Sequence, residues 1–147
     1  MPDKTTTFTP QRAPALPYNP LKTDVFSMEE VPHTAKLSLR GKPNDSAFMH
    51  AAKNALDVAL PTTPNTTATS DTATVLWLRP DEWLVIADAK AEETLHGDLL
   101  TTLGTTHSLV TDQTDNYTLL RLGGSHVKEV LKGAFVLNIN DDAFPVG

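Results

Sequence analysis

The side chains of this chain that could do chemistry are few and scattered. Five histidines, His33, His50, His96, His107 and His126, include no HxH, HxxxH or HExxH spacing. Two imidazoles from one element reach the same metal only when their spacing puts them on one face, so these read as scattered surface residues. Asp81 and Glu82 are an adjacent carboxylate pair, the residue type of general acid–base work. Neighbours on a strand point to opposite faces, so the two cannot easily flank one bond. Asp81 after Pro80 is turn chemistry instead. Asp141 and Asp142 fail similarly, as a polar loop before Phe144-Pro145. Ser108 and Ser125 lie in no GxSxG elbow. Leu122-Gly123-Gly124-Ser125-His126 could expose backbone N–H groups to an anion where a strand enters a helix. Yet GxGxxG and the P-loop lysine are both missing, and two glycines with a serine also make an ordinary turn and N-cap. The turn reading outweighs the phosphate nest. On its residues the chain carries no assigned catalytic, cofactor-binding or metal site.

Composition narrows the partners. The chain has 147 residues, enough for one domain with its own core. Its formal charge is −6, and twelve basic residues are spread from Lys4 to Lys132 without a cluster. Nucleic acid, which needs a basic face, is excluded on that ground. The apolar runs are far short of a bilayer span, and Met1-Pro2-Asp3-Lys4 leads into no signal core. There is no cysteine, hence no disulfide, thiolate metal site or thiol nucleophile. A soluble, cytoplasmic protein is the simplest reading. The N-x-S/T triplets at Asn44, Asn65 and Asn116 carry no weight without secretion.

The elements that would position these residues follow from periodicity. Residues 1–30 are Pro- and Thr-rich, with prolines at 10, 14, 17 and 20. Proline fixes φ and removes a donor, so this segment is expected to form neither helix nor central strand. It is either a mobile tail or an extended arm laid on a partner. A single α+β domain is expected over 31–147, with regular structure starting near Thr34. Ala35, Leu37 and Leu39 alternate with polar residues as on a half-buried strand. After a break at 41–45, Asn44, Asp45 or Ser46 can cap a helix with Phe48, Ala51, Ala52, Ala55, Leu56 and Ala59 on one face. Residues 62–74 read as a polar loop. Strands are expected over 73–78 and 83–87, joined at Pro80-Asp81, then a helix over 90–103 ending at Gly104. Two more strands, 107–111 and 117–122, precede a short helix with Val127, Val130 and Leu131. The order β-α-β-β-α-β, then β-α, fits a split βαβ pattern with helices packed on one face of an antiparallel or mixed sheet.

The densest stretch is Leu76-Trp77-Leu78-Arg79-Pro80-Asp81-Glu82-Trp83-Leu84-Val85, two apolar strands around an acidic turn. One tryptophan at least belongs to the core, and the other suits a partner contact. This stretch resembles the "LWLGPDEWLL" signature of the gamma subunit of heterotetrameric sarcosine oxidase, a relative of the folate-dependent aminomethyltransferases. The likeness continues through Leu60-Pro61-Thr62-Thr63-Pro64-Asn65-Thr66, Val110-Thr111-Asp112-Gln113-Thr114, the run from Leu122 to Ala134, and Asp141-Asp142-Ala143-Phe144-Pro145-Val146-Gly147. It covers about residues 35–147. Arg79 stands where the family usually has Gly, Gly124 where it has Pro, and Ala134 where it has Cys. Relatives continue past the position of Gly147 with further strands and a final helix, so a chain ending here would need its sheet edge covered, or be a fragment.

The resemblance implies an aminomethyltransferase-like fold and a noncatalytic gamma subunit without a cofactor of its own. FAD, FMN, NAD and tetrahydrofolate, with zinc, would be held by the partner alpha, beta and delta subunits. Such complexes oxidise sarcosine to glycine with oxygen, giving hydrogen peroxide and a one-carbon unit that leaves as formaldehyde or passes to tetrahydrofolate. The alternative is a stand-alone folate-binding, aminomethyltransferase-like protein. Arg40, Arg79 and Arg121 would then be candidates for folate's glutamate tail, and Asp112 for the pterin.

Overall fold

The computed structural model describes residues 13–16, 19–31, 33–140 and 143–144. Eight strands are named in chain order: β1 (Leu21–Lys22), β2 (Ser27–Glu30), β3 (Ala35–Gly41), β4 (Thr67–Thr69), β5 (Ala73–Arg79), β6 (Glu82–Ala87), β7 (Ser108–Asp112) and β8 (Leu120–Gly123). Helix α1 (Ser46–Leu56) follows β3, α2 (Glu92–Leu103) follows β6, and α3 (Val127–Ala134) follows β8. A five-stranded sheet has the order β4-β5-β6-β3-β7, and a three-stranded sheet the order β1-β2-β8. Every pairing in them is antiparallel.

The larger sheet has the alternation read from the sequence. Leu37 pairs with Val85 and Leu39 with Trp83, while Val75 pairs with Val85 on the other side. These side chains share the face that receives α1 and α2, and they are fully buried. Phe48, Ala52 and Leu56 of α1 meet them, together with Leu95, Leu99 and Leu103 of α2. Each large apolar side chain withdrawn from water here contributes about 1.5–3 kcal/mol. Alanines at 51, 52 and 55 keep α1 close to the sheet.

Asp45 starts α1, its carboxylate accepting the N–H groups of Ala47 and Phe48 at 2.9 and 3.2 Å. The helix ends at Asp57, in the left-handed conformation. Residues 89–91 form a 3₁₀ turn capped by Asp88 rather than the first turn of α2. Gly104, at φ +52°, closes α2 with its N–H on the Leu100 carbonyl.

Three strands arise where alternation gave no sign. The segment 1–30 contributes β1 and β2, and β2 is the central strand of the small sheet. That corrects the expectation that no central strand forms there. No proline lies between Pro20 and Pro32, so residues 21–31 keep every backbone donor that pairing needs. Inside the expected polar loop, β4 adds an edge beside β5. The two strands read around residues 113–116 join different sheets: β7 borders β3, whereas β8 borders β2.

Candidate functional site

The double-tryptophan hairpin is built as its residues require. Trp77 and Trp83 face each other across β5 and β6, with a register shift between Trp77 and Arg79 that leads into the Pro80-Asp81 turn. Trp83 is fully buried. Its indole N–H donates to the Pro61 carbonyl at 2.7 Å, which satisfies the one polar atom the core would otherwise strand. Its ring lies 5.7 Å from that of Phe48, tilted by 36°. Trp77 is only half-buried and packs at the margin of the core.

The acidic turn is held by ion pairs. Asp81 meets Arg40 at 3.2 Å, and its carbonyl accepts the Gly41 N–H. Glu82 meets Arg79 at 3.4 Å and accepts the Ser38 hydroxyl at 3.0 Å. Arg79 directs its charge outward, its side chain 69% exposed. Arg121 belongs to the small sheet, where it pairs with Glu29 at 2.9 Å. Asp112 accepts the Thr114 N–H at 2.8 Å. The three arginines considered for a folate tail are thus each paired with a carboxylate and divided between two sheets.

The glycines before α3 serve close packing. Gly124 has φ +105°, and a Cβ there would lie 2.3 Å from the Val25 carbonyl oxygen. The His126 N–H donates to that same oxygen at 3.1 Å. A Cβ on Gly123 would meet the Ser27 hydroxyl at 2.9 Å. The backbone that an anion would need is therefore occupied by the β1–β2 connection.

The histidines stay apart. His50 and His107 are exposed, His96 is half-buried on α2, and His33 sits at φ +57°. His126 Nδ1 lies 3.1 Å from the Ser125 hydroxyl, and the Ser108 hydroxyl donates to the Thr106 carbonyl. Among the described residues no group of three or more histidine, aspartate or glutamate side chains is gathered as a metal site. Asp141 and Asp142 lie outside the described residues. Among those residues no helix is long and apolar enough to cross a membrane.

The feature with most chemical consequence is a surface. The face of the larger sheet turned away from α1 and α2 carries Leu76 and Leu84 as a cross-strand pair with Ile86 next to them, and Leu109 on β7 beyond Ser38 and Arg40 of β3. Leu76, Leu84 and Ile86 are half-buried, and Leu109 is 55% exposed. Part of this face is sealed: Lys36 is buried with its ammonium on the Thr34 and Thr114 carbonyls, at 3.0 and 3.5 Å. Beside β5 a cleft of about 770 Å³ opens between Leu76 and Leu78, Leu131 of α3, and the C-terminal residues Leu137, Ile139 and Phe144. Helix α3 carries Val127, Val130, Leu131 and Ala134 at helical spacing, yet buries none of them. Val136 is fully exposed, and Phe135 and Leu137 are more than half exposed. Spacing of apolar residues showed that α3 is amphipathic; that its stripe is only partly covered among the described residues shows only in three dimensions.

Three comparisons agree with this arrangement. The model of the sarcosine oxidase gamma subunit family matches residues 40–147. The sarcosine oxidase subunit gamma of Corynebacterium sp. (strain P-1) is 32% identical over 120 residues, covering 81% of this chain and 58% of that protein. In solved structures, a chain of the heterotetrameric sarcosine oxidase from Corynebacterium sp. U-96, in complex with pyrrole 2-carboxylate, superposes with a TM-score of 0.77 at 28% identity. That match covers 86% of this chain and 65% of the other. Aminomethyltransferase T of the glycine cleavage system from Bartonella henselae shares the fold alone, with a TM-score of 0.56 at 14% identity over 75% of this chain and 32% of that one. The chain thus spans somewhat under two-thirds of the length of these two sarcosine oxidase chains. The double-tryptophan hairpin and the sheet around it belong to a member of the sarcosine oxidase gamma subunit family.

Proposed function

We propose that this chain is a noncatalytic structural subunit of a heteromeric sarcosine oxidase, assembled with the larger alpha and beta and the small delta subunits. The observation that carries the reading is the uncovered apolar surface formed by the far sheet face, the α3 stripe and the adjoining cleft. Chains that work alone tend to bury apolar residues of this kind, whereas subunits cover them with partners. The candidate chemical residues support the same reading, since the ion pairs of Arg40, Arg79 and Arg121 tie them to the chain's own carboxylates.

In this reading the complex oxidises sarcosine to glycine, reduces oxygen to hydrogen peroxide and hands the one-carbon unit to tetrahydrofolate or releases it as formaldehyde. FAD, FMN, NAD and tetrahydrofolate reside in the partner subunits, and the assembly works in the cytoplasm. The test is capture of the tagged chain from its native cells. Larger partner chains, a flavin absorbance band and sarcosine-dependent peroxide formation are the expected result. Sarcosine oxidation by the purified chain alone, or capture without partner or flavin, overturns the proposal.

A further inference from the structure

Among the described residues, one side chain hydrogen-bonds segment 13–16 to the body. Glu30, at the end of β2, accepts the Ala15 N–H on Oε1 at 2.8 Å and the Leu16 N–H on Oε2 at 2.7 Å. Two successive backbone donors, one on each oxygen of a carboxylate, form a charge-assisted pair that is complete only when the group is ionised. Ala13 and Ala15 lie over a polar cavity of about 100 Å³, walled by Thr34, Lys36, Thr114 and Asp115. The Thr34 hydroxyl is buried with no hydrogen-bond partner among the described residues. On the other side, Pro14 and Leu16 line a cleft of about 580 Å³ with Leu21 and Met28. A proline-flanked segment is thus fixed across a polar cavity by a pair of bonds that is complete in one protonation state only.

We propose that Glu30 is a pH-sensitive latch that straps segment 13–16 over Lys36 and Thr34, and that acid releases the strap. Protonation turns one acceptor oxygen into an O–H donor that faces an N–H donor, so one of the two bonds is lost and the other loses its charge. The backbone N–H groups of Leu16 and Ala15, then the charges of His33 and Lys36, hold the Glu30 carboxyl below its ordinary value. The other charged and titratable groups around the strap are Asp115 and Tyr117 across the cavity, Lys22 on β1, and the Glu29–Arg121 pair. The sign follows from the lowered value: the latch is fully closed above the ordinary glutamate range, about pH 4.3, and opens as pH falls through the native value beneath it. Release uncovers the Lys36 ammonium and the Thr34 hydroxyl while the larger sheet stays folded. The proposal concerns this chain's own arm and stands whether or not the oxidase reading does.

The experiment is amide exchange in the full-length chain, followed at Ala15 and Leu16 against pH and corrected for intrinsic rates. Trp83 emission, read in a Trp77→Phe background, serves as an independent monitor of the larger sheet. In the native sequence, protection at both amides is expected to fall by about an order of magnitude on acidification, before Trp83 emission changes. Glu30→Gln, which keeps one acceptor but carries no charge, is expected to remove that pH dependence and leave both amides fast at neutral pH. Equal protection in Glu30→Gln and the native chain overturns the latch. So does a native profile in which Ala15 and Leu16 open only together with the Trp83 transition.

Discussion

The two faces of the five-stranded sheet share backbone, strands and register, yet they are finished differently. Toward α1 and α2 the face is closed: Leu37, Leu39, Val75, Trp83 and Val85 are fully buried, and the indole N–H of Trp83 has its acceptor. Away from the helices, Leu76, Leu84 and Ile86 are half-covered and Leu109 faces water. The far face also carries Lys36, Ser38, Arg40 and Glu82, so its apolar residues are interrupted where those of the closed face are continuous. The helices that follow β3 and β6 add to the difference, because both return to the same side. One face makes the core, and the other stays only half-covered among the described residues.

Paired truncations test that division most severely. Leu37→Ala on the closed face removes a fully buried side chain and is expected to cost about 2–5 kcal/mol. Leu84→Ala changes the same residue type one strand away on the open face, and should cost well under half as much. Urea unfolding midpoints of the two variants decide it, and equal losses would break the comparison.

Trp83→Phe sharpens it within the closed face. The ring contact with Phe48 is largely kept, but the Pro61 carbonyl loses its donor. An expected loss of about 1–3 kcal/mol would show that the hairpin is fixed by that one bond as well as by burial. Asp45→Ala comes next, since it releases two N–H groups at the start of α1. It should cost about 1 kcal/mol in the same measurement, with helix content retained at low denaturant.

What could be read in the sequence tracks how local each signal was. Ala35, Leu37 and Leu39 announce a strand through alternation, and Asp45 before Phe48, Ala52 and Leu56 announces a capped helix, because periodicity and capping act within a few residues. The β1, β2 and β4 strands carry too little apolar alternation to signal themselves, being two, four and three residues long. β1 and β4 pair with the strand that follows each, whereas β2 also meets a distant segment, Ser27 lying opposite Gly123. Gly124 read as a turn glycine, and its actual constraint, the Val25 carbonyl, likewise comes from a distant segment. The open surface was the least legible part. Leu76 and Leu84 look like core positions in sequence, and only the placement of both helices on one side leaves them half-covered.

The smallest effect on the isolated chain is expected from Leu109→Asp, and it bears most directly on what the open face is for. Leu109 sits on β7, the edge strand, with more than half its surface in water. A polar replacement there removes little burial, so stability should change by no more than about 0.5 kcal/mol. A carboxylate introduced into a surface that partners cover must instead lose its water without gaining a counter-charge, which costs several kcal/mol. Capture of partner chains and flavin should therefore fall by at least about tenfold, a loss of roughly 1.4 kcal/mol, while the chain's own unfolding midpoint stays put. If Leu109→Asp lowers the midpoint as Leu37→Ala does, the open face belongs to the fold after all. If it leaves both midpoint and capture untouched, the partners meet the chain elsewhere, and the α3 stripe with its cleft becomes the surface to change.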